Sequence, residues 1–342
     1  MNSFLELKNI KNIYIFCIGN KVTGGPEALH QLRYYLEQMG KKAYIIYHDI
    51  NNNFIDNESI PDRYKKYFIE DKGILNFNEV IDSEDNCVIA SEFTTAILWN
   101  FKKAKKVIWW LSVRFYDGGK LNFKNSIKKC IKLGIKNPKE LFNFNKYYNP
   151  YPIEDAVHFC ASEYAYQFVK NELHQKPFKL IEPISKEFLE AGMNNKISVR
   201  KDKVAYNPSK PSKIMNKLLL ENNFDFVPII NLKPEEIIQL LREVKLYIDF
   251  GDFPGPERIP KEAVYNGANI LVGKRNAAIN DFDINIPEQY KIENFNDINY
   301  ISRKIEIMLK EYNENYHDFD IFREQIDSLE YNFIENLREI FF

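Results

Sequence analysis

Between residues 11 and 180 the chain switches repeatedly from short, unbroken apolar runs to longer amphipathic segments. The runs are NIYIFCI (12–18), KAYIIY (42–47), NCVIAS (86–91), KVIWWLSV (106–113) and AVHFCAS (156–162). A strand with one wet face alternates apolar and polar residues, and these runs do not alternate. Each is therefore expected to be covered on both faces, the condition of a parallel sheet with helices on either side. The segment after the first run is the plainest helix. Leu29, Leu32, Leu36 and Met39 recur at spacings of three and four and so line one face, and Gly40 stands where a helix stops.

A second series begins near residue 200, where DKVAYNP, FDFVPII, KLYIDFG and NILVG are short apolar strands and PEEIIQLLREV and PKEAVYNG between them are helical. A length of 342 residues makes two domains the default expectation. The predicted fold is α/β, with two Rossmann-like domains facing across a cleft. They occupy residues 1–185 and 186–310, joined through ISKEFLEAGMNNKISVRKD and followed by a C-terminal helical tail, 311–342.

Lys and Arg number 47 against 48 Asp and Glu, so no global field draws the protein to a polyanion. Nucleic-acid binding is thereby disfavoured, and any anion site has to be local. Cys17, Cys87, Cys130 and Cys160 form no CxxC pair, and three of them lie in or beside apolar runs, as reduced, buried thiols do. His30, His48, His158, His174 and His317 show no ligand spacing, so no protein-bound metal is expected. The N-terminal MNSFLELKNIKN lacks the charge and apolar core of a signal peptide, and no stretch approaches about 18 uninterrupted apolar residues. The expectation is a soluble, cytoplasmic protein.

Two loops carry chemistry. GNKVTGGPEALHQL, residues 19–32, leads from the first strand into its helix. Gly24 and Gly25 allow a sharp bend and leave backbone N–H groups unobstructed, and Pro26 fits the first helical turn without losing a hydrogen bond. The helix N-terminus then faces the space above the strand ends, where open α/β sheets bind polar or anionic ligands. The alternative is a tight connection with no ligand. The spacing matches neither GxGxxG nor GxxxxGK[ST], so neither a dinucleotide fingerprint nor a P-loop is indicated. Glu27 is accounted for by the helix dipole alone.

The second loop lies in YIDFGDFPGPERIPKEAVYNGANILVG, residues 247–273. A strand runs into a loop stiffened by Pro254 and Pro256 and bent at Gly251 and Gly255, then into a helix opened by Pro260 and closed by Gly267. Arg258, Lys261 and Glu262 gather at that helix start. Two cations beside free N–H groups suit a diphosphate, and a carboxylate in the same turn suits the vicinal hydroxyls of a ribose. The alternative is a surface salt-bridge cluster of Arg258 with Glu257 or Glu262.

EAVYNGANILV resembles the donor-binding helix and strand of the retaining GT-B glycosyltransferases, in which a Glu, seven residues and a second Glu open a helix reading E-A-x-x-x-G before a strand. By that resemblance Glu262 is the ribose-binding carboxylate and Gly267 the small residue at the helix end; eight residues before Glu262 the chain has Pro254 where the family has its first Glu. VAYNPSKPSKIMNKLL resembles the first strand and helix of the nucleotide-binding domain, with Asn207 near the family's Arg position and Lys210 or Lys213 as the family's Lys. FDFVPIINLKPEEIIQLL resembles the strand, loop and helix that enclose the base. TGGPEALHQL resembles the glycine-rich first loop of the N-terminal domain, and HFCASEYAYQFV its last strand and following helix.

The resemblance implies a metal-independent glycosyltransferase without a cofactor, with a UDP- or GDP-linked sugar as donor and a glycan or lipid-linked acceptor, in bacterial surface polysaccharide synthesis. Gly24, Gly25, Asn207, Lys210, Arg258, Lys261 and Glu262 would bind the donor, and Arg258 and Lys261 would stabilise the leaving diphosphate. Glu92, at the end of NCVIAS, is the best-placed acid for activating the acceptor hydroxyl, with Asp117 and Glu163 as weaker alternatives. DFD, residues 281–283, has the form of the DxD metal motif but follows no clear apolar strand. The same architecture serves sugar-nucleotide 2-epimerases and non-catalytic nucleotide- or glycan-binding proteins. Separately, residues 120–146 hold Lys120, Lys124, Lys128, Lys129, Lys132, Lys136, Lys139 and Lys146 against Glu140 alone. Interleaved with Ile127, Ile131, Leu133 and Ile135, they make either a solvated helix face or a peripheral contact with anionic membrane on its inner face.

Overall fold

The computed structural model describes residues 5–56, 59–68, 73–115, 123–135, 137–138, 141, 153–193, 199–210, 212–221 and 224–342. Asp117, Lys120, Lys136, Lys139, Glu140 and Lys146 lie outside them. The chain divides into two compact units, Met1–Glu182 together with Asn332–Phe342, and Pro183–Tyr331.

The first unit is built on a six-stranded parallel sheet of β1 (Asn12–Ile18), β2 (Lys42–His48), β3 (Asn86–Ser91), β4 (Lys105–Trp110), β5 (Val157–Cys160) and β6 (Pro177–Lys179), in the order β2-β1-β3-β4-β5-β6. The unbroken apolar runs are explained by the packing. Alternate residues of β1 enter opposite cores: Ile13, Ile15 and Cys17 join the cluster that holds Leu29, Leu32, Leu36 and Trp109, while Tyr14 and Phe16 join the one that holds Val88, Ile108 and Trp110. With no wet face, the strand has no use for a polar alternate residue. Helix α1 (Gly24–Gln38) buries Leu29, Leu32 and Leu36, and Gly40 at φ +88° ends it in the left-handed conformation that glycine adopts freely. Helices α2 (Phe123–Gly134) and α3 (Glu163–Asn171) follow β4 and β5, and the Ser162 hydroxyl caps α3 by accepting from the Ala165 N–H at 3.1 Å.

The second unit holds a five-stranded parallel sheet of β7 (Lys201–Tyr206), β8 (Asp225–Pro228), β9 (Val244–Asp249), β10 (Asn269–Gly273) and β11 (Lys291–Ile292), ordered β11-β10-β9-β7-β8. Its helices include α4 (Lys213–Glu221), α5 (Pro234–Glu243), α6 (Arg258–Tyr265) and α7 (Ile298–Lys310). Ile301, Ile305, Met308 and Leu309 of α7 are buried, on the one face their spacing predicts. A long helix, α8 (Asp320–Phe341), closes the chain, and its Phe333, Leu337, Ile340 and Phe341 are buried in the core of the first unit.

Both sheets are doubly wound. In the first, the chain leaves β1 toward β2 on one side and toward β3 on the other; in the second, β8 and β9 lie on opposite sides of β7. Each unit therefore has a switch point, a gap above the strand ends where consecutive loops diverge and a ligand can enter.

Candidate functional site

At the switch point of the first unit the loops after β1, β3 and β4 surround a cavity of about 290 Å³. The β1 loop contributes Lys21, Thr23 and Gly25, the β3 loop Ser91, Glu92 and Thr94, and β4 is followed by Leu111 and Ser112, with Pro26, Leu29 and Phe93 supplying apolar wall. The structure thus places Gly25 and Glu92 in one cavity; Gly24 is exposed.

The bend after β1 is not made by the glycine pair. Among the described residues the glycines with positive φ are Gly40, Gly73 and Gly267, and the left-handed residue in this loop is Asn20, at φ +54°. Asparagine tolerates that region because its short side chain bonds locally. A Cβ on Gly25 would meet Leu111 Cδ1 at 3.8 Å, an ordinary contact, so Gly25 is not forced by crowding either. The loop is held from behind. Tyr64 Oη accepts from the Thr23 N–H at 3.0 Å. Glu27, fully buried, pairs with Arg63 at 2.9 Å and Lys66 at 3.3 Å and accepts from the Tyr67 hydroxyl at 2.9 Å. Its role is therefore larger than a complement to the helix dipole: it ties the first turn of α1 to residues 59–68.

Glu92 is 4% exposed. Its Oε2 accepts from the Leu111 N–H at 2.9 Å. Burial drives its carboxyl up to about 8, against the pull of the backbone N–H groups of Leu111, Glu92 itself and Ser112. A buried acid that titrates near neutrality and borders a cavity has the properties of a proton-transfer group. Glu163 is tied up elsewhere, in an ion pair with Lys179 at 2.5 Å and a hydrogen bond from Gln167.

At the switch point of the second unit a charged cluster forms from the loops after β7 and β9 and the start of α6. Lys210 lies 3.4 Å from Asp249 Oδ2 and is ion-paired with Glu257, and its ammonium stands 4.9 Å above the Phe253 ring. Burial works against the Lys210 charge, but Glu257 and Asp249 outweigh it and raise its pKa, so the lysine is held protonated. Asp249 is itself fixed, accepting from the Tyr247 hydroxyl at 3.2 Å and the Gly251 N–H at 3.0 Å. Gly251 is a close-approach glycine: a Cβ there would stand 2.9 Å from the Lys210 Cβ and 3.2 Å from Asp249 Oδ1.

Glu257 precedes α6 at φ +37°, a conformation that costs a non-glycine residue about 1 kcal/mol or more. Helix α6 begins at Arg258, so Pro260 falls inside its first turn, and Gly267 at φ +91° follows its end. Arg258 Nη2 donates to the Pro183 carbonyl at 2.9 Å, while Lys261 and Glu262 are 5% and 4% exposed. Asn207 Oδ1 accepts from the Ser209 N–H and hydroxyl at 3.0 and 2.5 Å, an Asx turn that shapes the loop carrying Lys210.

The cluster is more evenly charged than its sequence suggests. Lys210 pairs with Asp249, an acid at the end of an apolar strand that no motif marks, and with Glu257, one of the two acids that the sequence offers as a partner for Arg258. Asp281 and Asp283 have structural partners: Asp281 pairs with Lys291 at 2.6 Å, and Asp283 accepts from the Asn280 side chain at 3.0 Å. Among the described residues no group of three or more His, Cys, Asp or Glu is placed to hold a metal ion.

No protein-family model matches the sequence, and no curated protein matches it. Solved structures do match in fold. TarM is similar at 13% identity and a TM-score of 0.51, the match covering 76% of this chain and 56% of that one. The chain thus spans little more than half the length of TarM. The α,α-trehalose-phosphate synthase (UDP-forming) from Burkholderia xenovorans, in complex with glucose-6-phosphate, is similar at 9% identity and a TM-score of 0.53, covering 96% of this chain and all of that one. WaaG, a glycosyltransferase involved in lipopolysaccharide biosynthesis, is similar at 8% identity and a TM-score of 0.51, covering 95% and 98%. With two doubly wound parallel sheets and these neighbours, the chain has the fold of the GT-B glycosyltransferases.

Proposed function

We propose that this chain is a glycosyltransferase that moves a sugar from a UDP- or GDP-linked donor to a hydroxyl of a glycan or lipid-linked acceptor in surface polysaccharide synthesis. The observation that carries the reading is the buried charged cluster at the switch point of the second unit. Lys210, Arg258 and Lys261 are the cations for the diphosphate, and Glu262 is the carboxylate for the ribose. Gly24 and Gly25, at the N-terminus of α1, offer backbone N–H groups to the donor.

In this reading the departing nucleoside diphosphate gains negative charge as the glycosidic bond breaks. Cations held in place before the reaction stabilise that charge more in the transition state than in the ground state. Lys210 meets the need particularly well, because Asp249 and Glu257 keep it protonated and oriented before a donor arrives. Glu92, in the cavity of the first unit, takes the proton of the acceptor hydroxyl. The cations supply the stabilisation without a metal.

Support from relatives is of two kinds: the Burkholderia xenovorans synthase is UDP-forming, and WaaG acts in lipopolysaccharide biosynthesis. A second reading is favoured by Pro254, which stands where retaining enzymes of this fold carry an acid: a protein that binds the nucleotide without transferring the sugar.

A thermal-shift panel of nucleotides and nucleotide sugars tests the proposal, because a ligand bound only by the folded state raises the melting temperature. UDP, GDP or a sugar derivative of one of them is expected to raise it. A panel in which none does contradicts the proposal, and a stabilising donor that yields neither transfer nor hydrolysis favours the second reading.

A further inference from the structure

Helix α2 turns one side inward and leaves another uncovered. Cys130 is buried, whereas Ile127, Ile131 and Ile135 are 37, 52 and 81% exposed. The helical ladder extends past Gly134, since the Ile135 N–H donates to the Ile131 carbonyl at 3.1 Å. Residues four apart are neighbours on a helix surface, so the three isoleucines form a ridge about 12 Å long. A contiguous apolar ridge in water marks a surface that meets a partner.

The chemistry beside the ridge narrows the partner. Lys128 and Lys132 are exposed, each directly following an isoleucine of the ridge, and Lys124 precedes Lys128 by one turn in the sequence. Residues 120–146 hold eight lysines and one glutamate, whereas the whole chain, this segment included, balances 47 cations against 48 acids, so the positive charge is concentrated here. Nucleic acid would satisfy the lysines but offers no hydrocarbon to the isoleucines. A neutral bilayer would satisfy the isoleucines alone. A surface presenting both hydrocarbon and negative charge is an anionic lipid bilayer.

We propose that α2 docks this chain on anionic membrane lipid, with Ile127, Ile131 and Ile135 in the boundary between headgroups and acyl chains and Lys128 and Lys132 at the headgroup phosphates. Among the described residues no helix is long and apolar enough to cross a membrane. The proposal uses none of the residues assigned to the donor or to Glu92 and stands or falls independently of them.

Vesicle sedimentation of the full chain decides it. The chain is expected to pellet with vesicles of phosphatidylcholine mixed with phosphatidylglycerol and to stay in the supernatant with phosphatidylcholine alone. Each cation near an anionic surface is worth roughly fivefold in partitioning, so Lys128→Glu with Lys132→Glu lowers binding by about 25-fold or more. Ile131→Ser, which leaves the charge intact, lowers it by roughly tenfold. Circular dichroism melts report whether the fold survives, and Lys128→Gln with Lys132→Gln carries the same test if charge reversal disturbs it. A wild-type chain that ignores the anionic vesicles overturns the proposal. So does binding that the lysine and isoleucine variants leave unchanged, and so does equal binding to neutral vesicles.

Discussion

Glu92 gives opposite signs to stability and catalysis over one pH range. The folded chain keeps the Glu92 proton up to about pH 8, whereas the unfolded chain releases it near the ordinary 4.5. Between these values the folded state binds more protons than the unfolded one. The stabilising contribution is therefore complete below the lower value, declines as pH rises and is gone above about 8. Glu92→Gln abolishes the titration, so the variant's melting temperature should gain on wild type steadily from about pH 4.5 to about pH 8 and level off above it. A difference that does not vary with pH contradicts the assignment. As a base Glu92 acts only when ionised, so kcat/KM should climb as pH rises through about 8 and lose that limb in the Gln variant. Lys210 tests the other site. Lys210→Ala removes the cation that pairs with both Asp249 and Glu257 and should lower the unfolding free energy by about 2–3 kcal/mol in urea titrations, allowing for the partial exposure of the lysine. Adding Glu257→Gln should recover part of that loss, because it removes one of the stranded charges.

At the scale of elements, the last helix contributes to the first unit far more than a trailing segment would. Phe333 is fully buried, stacked near Trp109 with ring centroids 6.3 Å apart, and shares its cluster with β1 and β4. Phe333→Ala is expected to cost about 3–5 kcal/mol of stability, read from urea unfolding followed by Trp fluorescence. A loss under about 1 kcal/mol would mean that this segment is not part of the core. The strands covered on both faces were legible in the sequence because burial on both sides leaves unbroken apolar runs. β6 and β11 were not, since strands of three and two residues are too short to show a period. The helix start at Gly24 was legible from its proline, but the glycine pair points to a bend at Gly24 and Gly25, whereas the left-handed residue of the loop is Asn20. Glu92 could be picked out as an acid at a strand end. Its shift could not, because that depends on burial and on N–H groups from a different strand end. The same holds for Lys210 and Asp249: 39 residues separate them, and only the adjacency of β7 and β9 brings them together.

At the scale of the molecule, the two sites share a construction principle. Each lies at the switch point of its own sheet, where loops from the first and third strands diverge, and each carries a buried acid beside the start of a helix. Their chemistry differs. The first unit has an apolar cavity with one acid that titrates near neutrality, suited to an uncharged hydroxyl group; the second has a dense cluster of both charges, suited to a phosphorylated ligand. The central claim is that the second cluster holds a nucleoside diphosphate, and titration calorimetry of UDP and GDP into wild type, Arg258→Ala and Glu262→Ala addresses it directly. Wild type should bind one of the two nucleotides, and each variant should bind it at least about tenfold more weakly while keeping the wild-type circular dichroism spectrum. Unchanged affinity in both variants would place the nucleotide elsewhere and contradict the account.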